Sequence, residues 1–302
     1  MLFHVVLCSA VMNIELRHLR ALAAIGDEGS ITGAAAVLHV AQPALSRTLG
    51  QLEERIGTKL VDRSTRHLEL TAQGQLLWER AHRILQSVDE AVAEVQAGPA
   101  PLRVGFAWSA LGRHTVALLR TWKVDTGTEL VVRRVDDPAL ALRKGEIDMA
   151  FFRAKPGPPA FEHALLGHEN RMLALADDDP LNRKGALSLD DLVSHRIALC
   201  SNAGTADLQL WPKSSRPEKT VVVANVDEWL TTIATGAAIG VTSDATEYSH
   251  PHPGVTYLPL PNTSPVPVYL TWPRHNRHPM TDRFVVHAKQ ILNERTPDPA
   301  RN

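Results

Sequence analysis

Two short helix-like segments with only three residues between them constrain the fold of this chain more than any other feature. Ser30 is a suitable N-cap for a helix over residues 31–38, and three consecutive alanines in that helix allow another backbone to approach closely. Residues 39–41 are too few for anything but a turn, and Gln42 and Pro43 then open the next helix, where proline is well tolerated. This spacing predicts two helices that cross at a steep angle.

The second of these helices is predicted to extend to about residue 55 and to have two different faces. Its inward face carries apolar side chains, at Ala44, Leu45, Leu49 and Leu52. Its outward face carries groups that donate to phosphates or to base edges, at Gln42, Ser46, Arg47 and Gln51. From helix spacing alone, a helical hairpin with a solvated face is an equally good interpretation.

The segments on either side favour DNA binding. Before the pair, the apolar pattern over residues 16–25 predicts a further helix, which Gly26 and Gly29 are expected to end. After it, Leu68 and Leu70 alternate with polar residues, and a polar turn at 64–66 precedes them. We interpret this as a β-hairpin wing, with two basic residues near its tip where a phosphate backbone would pass, at Arg63 and Arg66.

Charge in this module is balanced. Residues 12–71 contain seven basic side chains, at Arg17, Arg20, Arg47, Arg55, Lys59, Arg63 and Arg66, and seven acidic ones, at Glu15, Asp27, Glu28, Glu53, Glu54, Asp62 and Glu69. Binding would therefore depend on a few placed arginines and on helix N-termini, and one copy should bind weakly. We expect two or more copies to act together.

A long helix predicted over residues 72–95, with Thr71 as its cap, could join such copies. Its apolar residues alternate at spacings of four and three, at Leu77, Ala81, Ile84, Val88, Ala91 and Val95. That heptad spacing favours pairing with a second chain, and packing on its own domain is the alternative. The stretch at 97–101 then breaks the helix and marks a hinge.

Residues 12 to about 95 strongly resemble the DNA-binding domain and linker helix of LysR-type transcriptional regulators. The matching pieces are the alanine pair of the second helix, "QPALSR", "LEERIG", and the wing with "LTAQG" after it. The resemblance implies a winged helix-turn-helix. Together with the pattern of polar residues, it gives a set of candidate DNA-binding residues: Thr32, Gln42, Pro43, Ser46, Arg47, Gln51, Arg63 and Arg66.

Three positions depart from the family pattern. Ala41 stands where a serine commonly precedes Gln-Pro, which could remove one phosphate or cap contact. Ile31 replaces an aromatic residue and Val61 replaces phenylalanine, and both changes concern packing.

The remaining two hundred residues alternate strand-like and helix-like segments, which predicts parallel sheets with helical crossovers. One group covers about residues 100–161 and is rejoined by 266–295, and a second group covers about 162–265. Two α/β lobes joined by two crossings would form a hinged cleft. At lower specificity, the family resemblance implies an effector-binding domain built like a periplasmic solute-binding protein.

In such folds a ligand lies beyond the carboxyl ends of the strands, near helix N-termini. Residues in those places form our candidate effector site: Trp108, Ser109, Ala110, Asn202, Gly204, Thr205, Val226, Asp227 and Thr242. Hydroxyls and free N–H groups there favour a polar or anionic small molecule. Simple helix capping is the alternative for Ser109 and Thr205, and Trp108 could either cover a ligand or lie in the core.

Other classes of protein find little support. No dinucleotide, P-loop or nucleophile-elbow motif occurs, so no enzyme or cofactor is expected. The histidines near 250 and 275 lack acidic or cysteine partners at metal-binding spacing, so no metal is expected. Two cysteines cannot build a disulfide framework, which favours a cytoplasmic protein, and no apolar run is long enough for a membrane span. The net charge of −1 gives no global basic bias toward nucleic acid. We interpret residues 1–11 as an upstream extension, with a truncated signal peptide as the alternative.

The sequence thus predicts three parts: a winged helix-turn-helix at 12–71, a dimerisation helix at 72–96 and an effector domain at 100–295. The expected function is transcriptional regulation in response to a small molecule. The expected partners are double-stranded DNA, the effector and further copies of the chain, as a homodimer or homotetramer, with no membrane. The alternative is a solute-binding or transport component built on the two-lobed domain.

Overall fold

The computed structural model describes residues 14–63, 68–97, 100–155, 161–200, 202–275 and 277–293. The chain divides into two compact units near residue 100. The first contains α1 (Leu16–Glu28), α2 (Ile31–Val37), α3 (Gln42–Ile56), β1 (Val61–Arg63), β2 (Leu68–Leu70) and α4 (Ala72–Ala97). None of the helices within the described ranges is both long enough and apolar enough to cross a bilayer.

Helix α1 continues through Gly26 and ends at Gly29, so the prediction that Gly26 ends it was wrong. Gly29 adopts a left-handed conformation with φ 59°, and its N–H donates to the carbonyl of Ile25. Gly26 has a packing role instead: a Cβ there would lie 2.4 Å from the Trp78 ring. The Trp78 indole also donates to the carbonyl of Ala23 at 3.2 Å, which fixes α4 against α1.

Helices α2 and α3 cross closely because small side chains lie between them. Ala34 and Ala35 are buried, and the Ser30 hydroxyl accepts the N–H of Gly33 at 3.0 Å, as expected for an N-cap. Three leucines of the predicted inward face of α3 are buried, at Leu45, Leu49 and Leu52. Ala41 precedes α3 without a side-chain cap, as its methyl group dictates.

The buried carboxylate of Glu53 fixes the wing to α3. Glu53 is 5% exposed, and it accepts the backbone N–H groups of Leu60 at 2.9 Å and Val61 at 3.3 Å and the Lys59 ammonium at 2.8 Å. Burial raises the pKa of Glu53, but these hydrogen bonds outweigh it, so the pKa lies below the usual value.

Helix α4 has both a packed side and an exposed apolar side. Trp78 and Ala81 are buried in the first unit. Two residues of the heptad series, Ile84 and Val95, are 44% and 89% exposed. The part of α4 near α1 therefore packs on its own unit, and the pairing of the exposed residues with a second chain stays a prediction.

The second unit contains most of the strands. Its helices are α5 (Thr115–Thr126), α6 (Pro138–Lys144), α7 (Val226–Ala234), α8 (Asp244–Ser249) and α9 (Thr281–Asn293). Its strands are β3 (Leu102–Phe106), β4 (Leu130–Arg134), β5 (Met149–Phe152), β6 (Phe161–Glu169), β7 (Arg171–Ala176), β8 (Ile197–Leu199), β9 (Thr220–Val222), β10 (Gly240–Ser243), β11 (Val255–Pro259) and β12 (Val266–Pro273).

Lobe I is built on a five-stranded sheet in the order β4-β3-β5-β12-β6. Strands β4, β3 and β5 are parallel, and β12 runs antiparallel to β5 and β6. Helices α5 and α9 contribute Trp122 and Phe284, whose rings meet edge to face in the core of this lobe. The sheet is therefore mixed: the prediction of a parallel sheet holds for β4, β3 and β5, but not for β12, which returns from the other lobe and pairs antiparallel with β5 and β6.

Lobe II begins at β7, later than the predicted boundary near residue 162. Strand β6 pairs with β12 over its whole length, from Phe161 opposite Pro273 to Glu169 opposite Val266, and so belongs to lobe I. Lobe II has an antiparallel sheet β10-β7-β11 and a parallel pair β8-β9, with α7 and α8. The segment around "LSLDDLVSH" forms only a 3₁₀ turn, Leu189–Leu192.

Glu53→Gln should destabilise the winged domain by about 1–2 kcal/mol, because the amide keeps one acceptor but loses the charge-assisted bonds. Hydrogen exchange at the amides of Leu60 and Val61, with urea unfolding of the full chain, would measure the effect. Glu54→Gln, at an exposed neighbouring position, is the matched control.

The difference between wild type and Glu53→Gln should also depend on pH. Because the folded pKa is lowered, the stabilisation is complete above the unfolded value near 4.5 and is lost as the pH falls through the lower folded value. A difference that grew on acidification would contradict the role given to the Glu53 carboxylate.

Candidate DNA-binding helix and effector cavity

The outward face of α3 presents the polar residues that the sequence predicts. Gln42, Pro43, Arg47 and Gln51 are exposed, and Ser46 is half-buried. All but Gln51 lie in the first half of the helix, and Gln42 and Pro43 lie in its first turn, where backbone N–H groups are also available to an anion. Thr32, near the start of α2, is exposed as well.

The two wing arginines cannot be assessed in the same way. Arg63 is the last residue of β1, and nothing is described of its side chain. Arg66 and the predicted turn at 64–66 lie outside the described residues. The paired strands around them, Val61 opposite Leu70 and Arg63 opposite Leu68, form the antiparallel ladder that a wing requires.

A cavity of about 450 Å³ lies between the two lobes of the second unit. We call it the effector cavity. Lobe I supplies the residues that follow β3, β4 and β5, and lobe II supplies the loop that follows β8; together they are Ala107, Trp108, Asp136, Asp137, Pro138, Phe151, Phe152, Arg153, Ala154, Asn202, Ala203 and Gly204. The carboxyl ends of strands converge here, as in other open α/β sheets that bind ligands.

The guanidinium of Arg153 organises one wall of the cavity. It is almost fully buried, and it forms a bidentate pair with Glu169, with Nη2 to Oε1 at 2.6 Å and Nε to Oε2 at 3.2 Å. It also donates to the carbonyl of Ala110 at 2.6 Å and to the carbonyl of Ser109. The pair therefore holds the loop after β3 in place while its charges cancel.

Trp108 belongs to the core of lobe II, although it follows a strand of lobe I. Its indole is 2% exposed, meets Trp229 edge to face at 5.3 Å, and donates to the Thr246 hydroxyl at 2.8 Å. The carbonyl of Trp108 accepts the ring N–H of His250 at 2.9 Å. The sequence allowed this ring either to cover a ligand or to lie in the core. The ring lies in the core, while the residue still borders the cavity.

Asn202 and Gly204 border the cavity from lobe II, as expected. The Asn202 amide donates to the carbonyls of Asp136 in lobe I and Ala224 in lobe II, both at 3.3 Å. Gly204 has φ 64°, a conformation that suits glycine, and a Cβ there would lie 3.3 Å from the backbone nitrogen of Ala154. Asn202 thus donates one hydrogen bond across to lobe I and one within lobe II, so both of its amide N–H groups are used.

The other candidate effector residues do not line the cavity. Ser109 and Ala110 are buried just behind the wall, and the Ser109 hydroxyl has no hydrogen-bond partner among the described residues. The Thr205 side chain is buried, and its carbonyl accepts from Arg171. The predicted loops border the cavity, but the side chains of Ser109, Ala110 and Thr205 are not part of its lining.

Three further candidates lie on helix and strand ends of lobe II. Val226 is buried in the core, and Asp227 is exposed, with its carboxylate 3.8 Å from Arg134. Thr242 is fully buried and shares a 2.6 Å hydrogen bond with Thr246, which in turn accepts from Trp108. Asn225 caps α7 by accepting the N–H groups of residues 227 and 228, so that helix start is occupied.

Sequence reasoning missed the residues that follow β4 and β5. "VDDP" contains Asp136 and Asp137, and "FFRA" contains Phe152, the last residue of β5, and Arg153 after it. Ligands lie beyond the carboxyl ends of parallel strands, and this rule, which selected the residues after β3, applies equally to β4 and β5. These residues could therefore have been predicted from the sequence. Only the pairing of Arg153 with Glu169 needed the three-dimensional structure.

Side chains suited to catalysis or metal binding do not gather here. Within the described ranges, no three His, Cys, Asp or Glu residues are placed to hold a metal ion. Cys200 is buried, and burial raises the pKa of its thiol, which donates to Asn202 Oδ1 at 2.7 Å. A thiol in this state is a poor nucleophile.

A winged helix-turn-helix followed by a two-lobed unit with a cavity is the architecture of one class of transcriptional regulators. In that class, one part of the chain binds DNA and another part senses a small molecule. The chain belongs to the LysR family of this class: residues 16–75 match the family model "Bacterial regulatory helix-turn-helix protein, lysR family", and residues 96–292 match "LysR substrate binding domain". It is a DNA-binding regulator with an effector domain, as predicted, and the transport alternative is not supported.

Relatives with similar sequences are regulators as well. The HTH-type transcriptional regulator BenM of Acinetobacter baylyi is 32% identical over 222 residues, which cover 70% of this chain and 69% of BenM. CatR of Pseudomonas putida is 33% identical over 209 residues, 68% of each chain. The uncharacterized regulator YnfL of Escherichia coli K12 is 29% identical and covers 93% of this chain and 100% of YnfL.

Solved structures confirm the fold. Full-length BenM is 27% identical, covers 96% of this chain and 100% of BenM, and has a TM-score of 0.55. CbnR, a LysR family transcriptional regulator, is 24% identical, covers 92% of this chain and 99% of CbnR, and has a TM-score of 0.69. CbnR is also known in complex with its target DNA.

Glu169→Gln should destabilise the second unit by about 3 kcal/mol, because it leaves the buried Arg153 charge without a counter-charge. Calorimetry of the full chain would show the transition of this unit at lower temperature, with that of the winged unit unchanged. Glu247→Gln, at an exposed position of α8, is the matched control. Equal unfolding temperatures for the two variants would contradict the stabilising role of the pair.

Proposed function

We propose that the chain binds operator DNA through the outward face of α3 and that a small molecule in the effector cavity regulates this binding. The observation that carries the first part is the division of α3 into two faces. Three buried leucines fix one side of the helix, while Gln42, Arg47 and Gln51 are exposed on the other. Amide and guanidinium groups in this pattern suit base edges and phosphates in a major groove.

The proposed DNA contacts divide into two kinds. Gln42, Ser46, Arg47 and Gln51 would face bases or the nearest phosphates, with Pro43 in van der Waals contact. Thr32 and the wing residues Arg63 and Arg66 would contact the backbone on either side, a role that positions the protein without reading sequence.

The effector cavity supports the second part of the proposal. Its residues come from both lobes, and Asn202 of lobe II donates across to the Asp136 carbonyl of lobe I. A bound molecule would contact both lobes and so favour one arrangement of them over another. The buried hydroxyls of Ser109, Thr205 and Thr242 would act behind this wall rather than on the ligand.

Self-association is the third element. The balanced charge of the winged module makes one copy a weak binder, and two linked copies bind two half-sites with far higher overall affinity. Exposed apolar residues of α4, including Leu76, Ile84 and Val95, are available for pairing. A homodimer or homotetramer that works on chromosomal DNA would be cytoplasmic.

Arg47→Ala should weaken binding to operator DNA by about tenfold or more, because it removes a guanidinium from the face proposed to enter the groove. The DNA would be selected from a random duplex pool with the wild-type protein and measured by fluorescence anisotropy. Ser46→Ala should have a smaller effect in the same direction.

Arg120→Ala provides a control with the same change in charge, because Arg120 is exposed on α5 in the second unit. Both variants should unfold at the wild-type temperature. If Arg47→Ala and Arg120→Ala bound the selected DNA equally well, α3 would not be the recognition helix.

A further inference from the structure

The charges that border the effector cavity are mostly negative. The charged residues among those lining it are Asp136, Asp137 and Arg153. Both aspartates are exposed at their positions just after β4. The charge of the effector can be inferred from the charges of these residues, and this inference rests on the function proposed above.

Among the described residues of the lining, Arg153 is the single cation, and its charge is already neutralised. Arg153 forms its bidentate pair with Glu169 and donates to two backbone carbonyls, so four of its five N–H groups are used. Drawing Arg153 toward a bound anion would leave the Glu169 carboxylate buried without its partner, which is costly. An anionic ligand therefore finds no available counter-charge among the lining residues that the structure describes.

The two aspartates differ in the hydrogen bonds that their carboxylates accept. The Asp137 carboxylate caps α6 by accepting the N–H of Leu140 at 2.9 Å. Asp136 is fixed through its backbone, where its carbonyl accepts from Asn202. Its carboxylate lies at the rim, and no hydrogen bond is described for it. Asp136 is therefore the residue of the pair better placed to receive a ligand.

Two aromatic residues at the end of β5, Phe151 and Phe152, line the cavity on the side of lobe I. Trp108 also borders the cavity, although its ring packs in the core of lobe II. Aromatic rings attract cations through their faces and also pack against apolar groups. A volume of about 450 Å³ falls in the range of small-molecule sites.

We propose that the effector carries a protonated amino group attached to a compact apolar part. The ammonium binds at the Asp136 carboxylate, with Asp137 adding to the negative potential, and the apolar part packs against the aromatic side of the cavity. The charge is thus opposite to that of the anionic effector that the sequence suggests as one possibility.

The test uses full-length protein and three probes of the same skeleton: 3-phenylpropylamine, 3-phenylpropan-1-ol and 3-phenylpropanoate. Affinities would be measured by ligand-observed NMR at low ionic strength. The amine should bind most tightly and the carboxylate most weakly. Asp136→Asn should weaken amine binding by about three- to fivefold, the size expected for one partly solvated ion pair, and leave the alcohol unchanged.

Asp178→Asn is the control, because Asp178 is exposed on a turn of lobe II and does not belong to the lining. The proposal would be overturned by tighter binding of the carboxylate, by amine binding too weak to detect, or by equal effects of the two variants. Binding of selected operator DNA would be measured on the same samples. Loss of DNA binding by wild type would contradict the proposed function, whereas a wrong effector charge would leave DNA binding intact.

Discussion

The insertion of the Trp108 indole into lobe II is the contact on which the second unit depends. The chain leaves β3 in lobe I, places this ring against Trp229 in the core of lobe II, and returns to α5 in lobe I. Burying an indole of this size contributes several kcal/mol, and its N–H has a partner in Thr246. The lobes are thus joined by packing as well as by chain crossings, and the effector cavity borders the same loop.

The buried pair of Arg153 and Glu169 complements this contact. It fixes the backbone carbonyls of Ser109 and Ala110, the two residues immediately after Trp108. A rotation of one lobe relative to the other must therefore either preserve the packing of Trp108 against Trp229 or expose the indole.

The first unit was largely predictable because its signals are local. Ser30, the alanines of α2, the Gln-Pro start of α3 and the leucine spacing each act over a few residues, and all give the elements that the structure contains. Gly26 was assigned wrongly because its role depends on Trp78, which is far away in the sequence. Family membership followed from the same local pattern.

The second unit was predicted only in outline. Alternating strands and helices gave two α/β lobes, but β6 pairs with β12 across about a hundred residues, and nothing in its own sequence indicates that partner. Trp108, Asn202 and Gly204 border the cavity because they follow strands, and their role as effector contacts stays a prediction. Thr242 does not border it, because a threonine at a strand end bonds equally well to a neighbouring hydroxyl as to a ligand.

The tie between Glu53 and the start of the wing has a consequence for how DNA shape is read. Glu53 belongs to the same helix as Arg47 and also holds the amides of Leu60 and Val61, so α3 and the base of β1 form one rigid piece. In the proposed complex, the separation between α3 in the major groove and the wing beside it would then be set by the protein. Duplexes whose groove width matches that separation would bind without deformation, and stiff sequences of other widths would be disfavoured even at base pairs that no side chain touches.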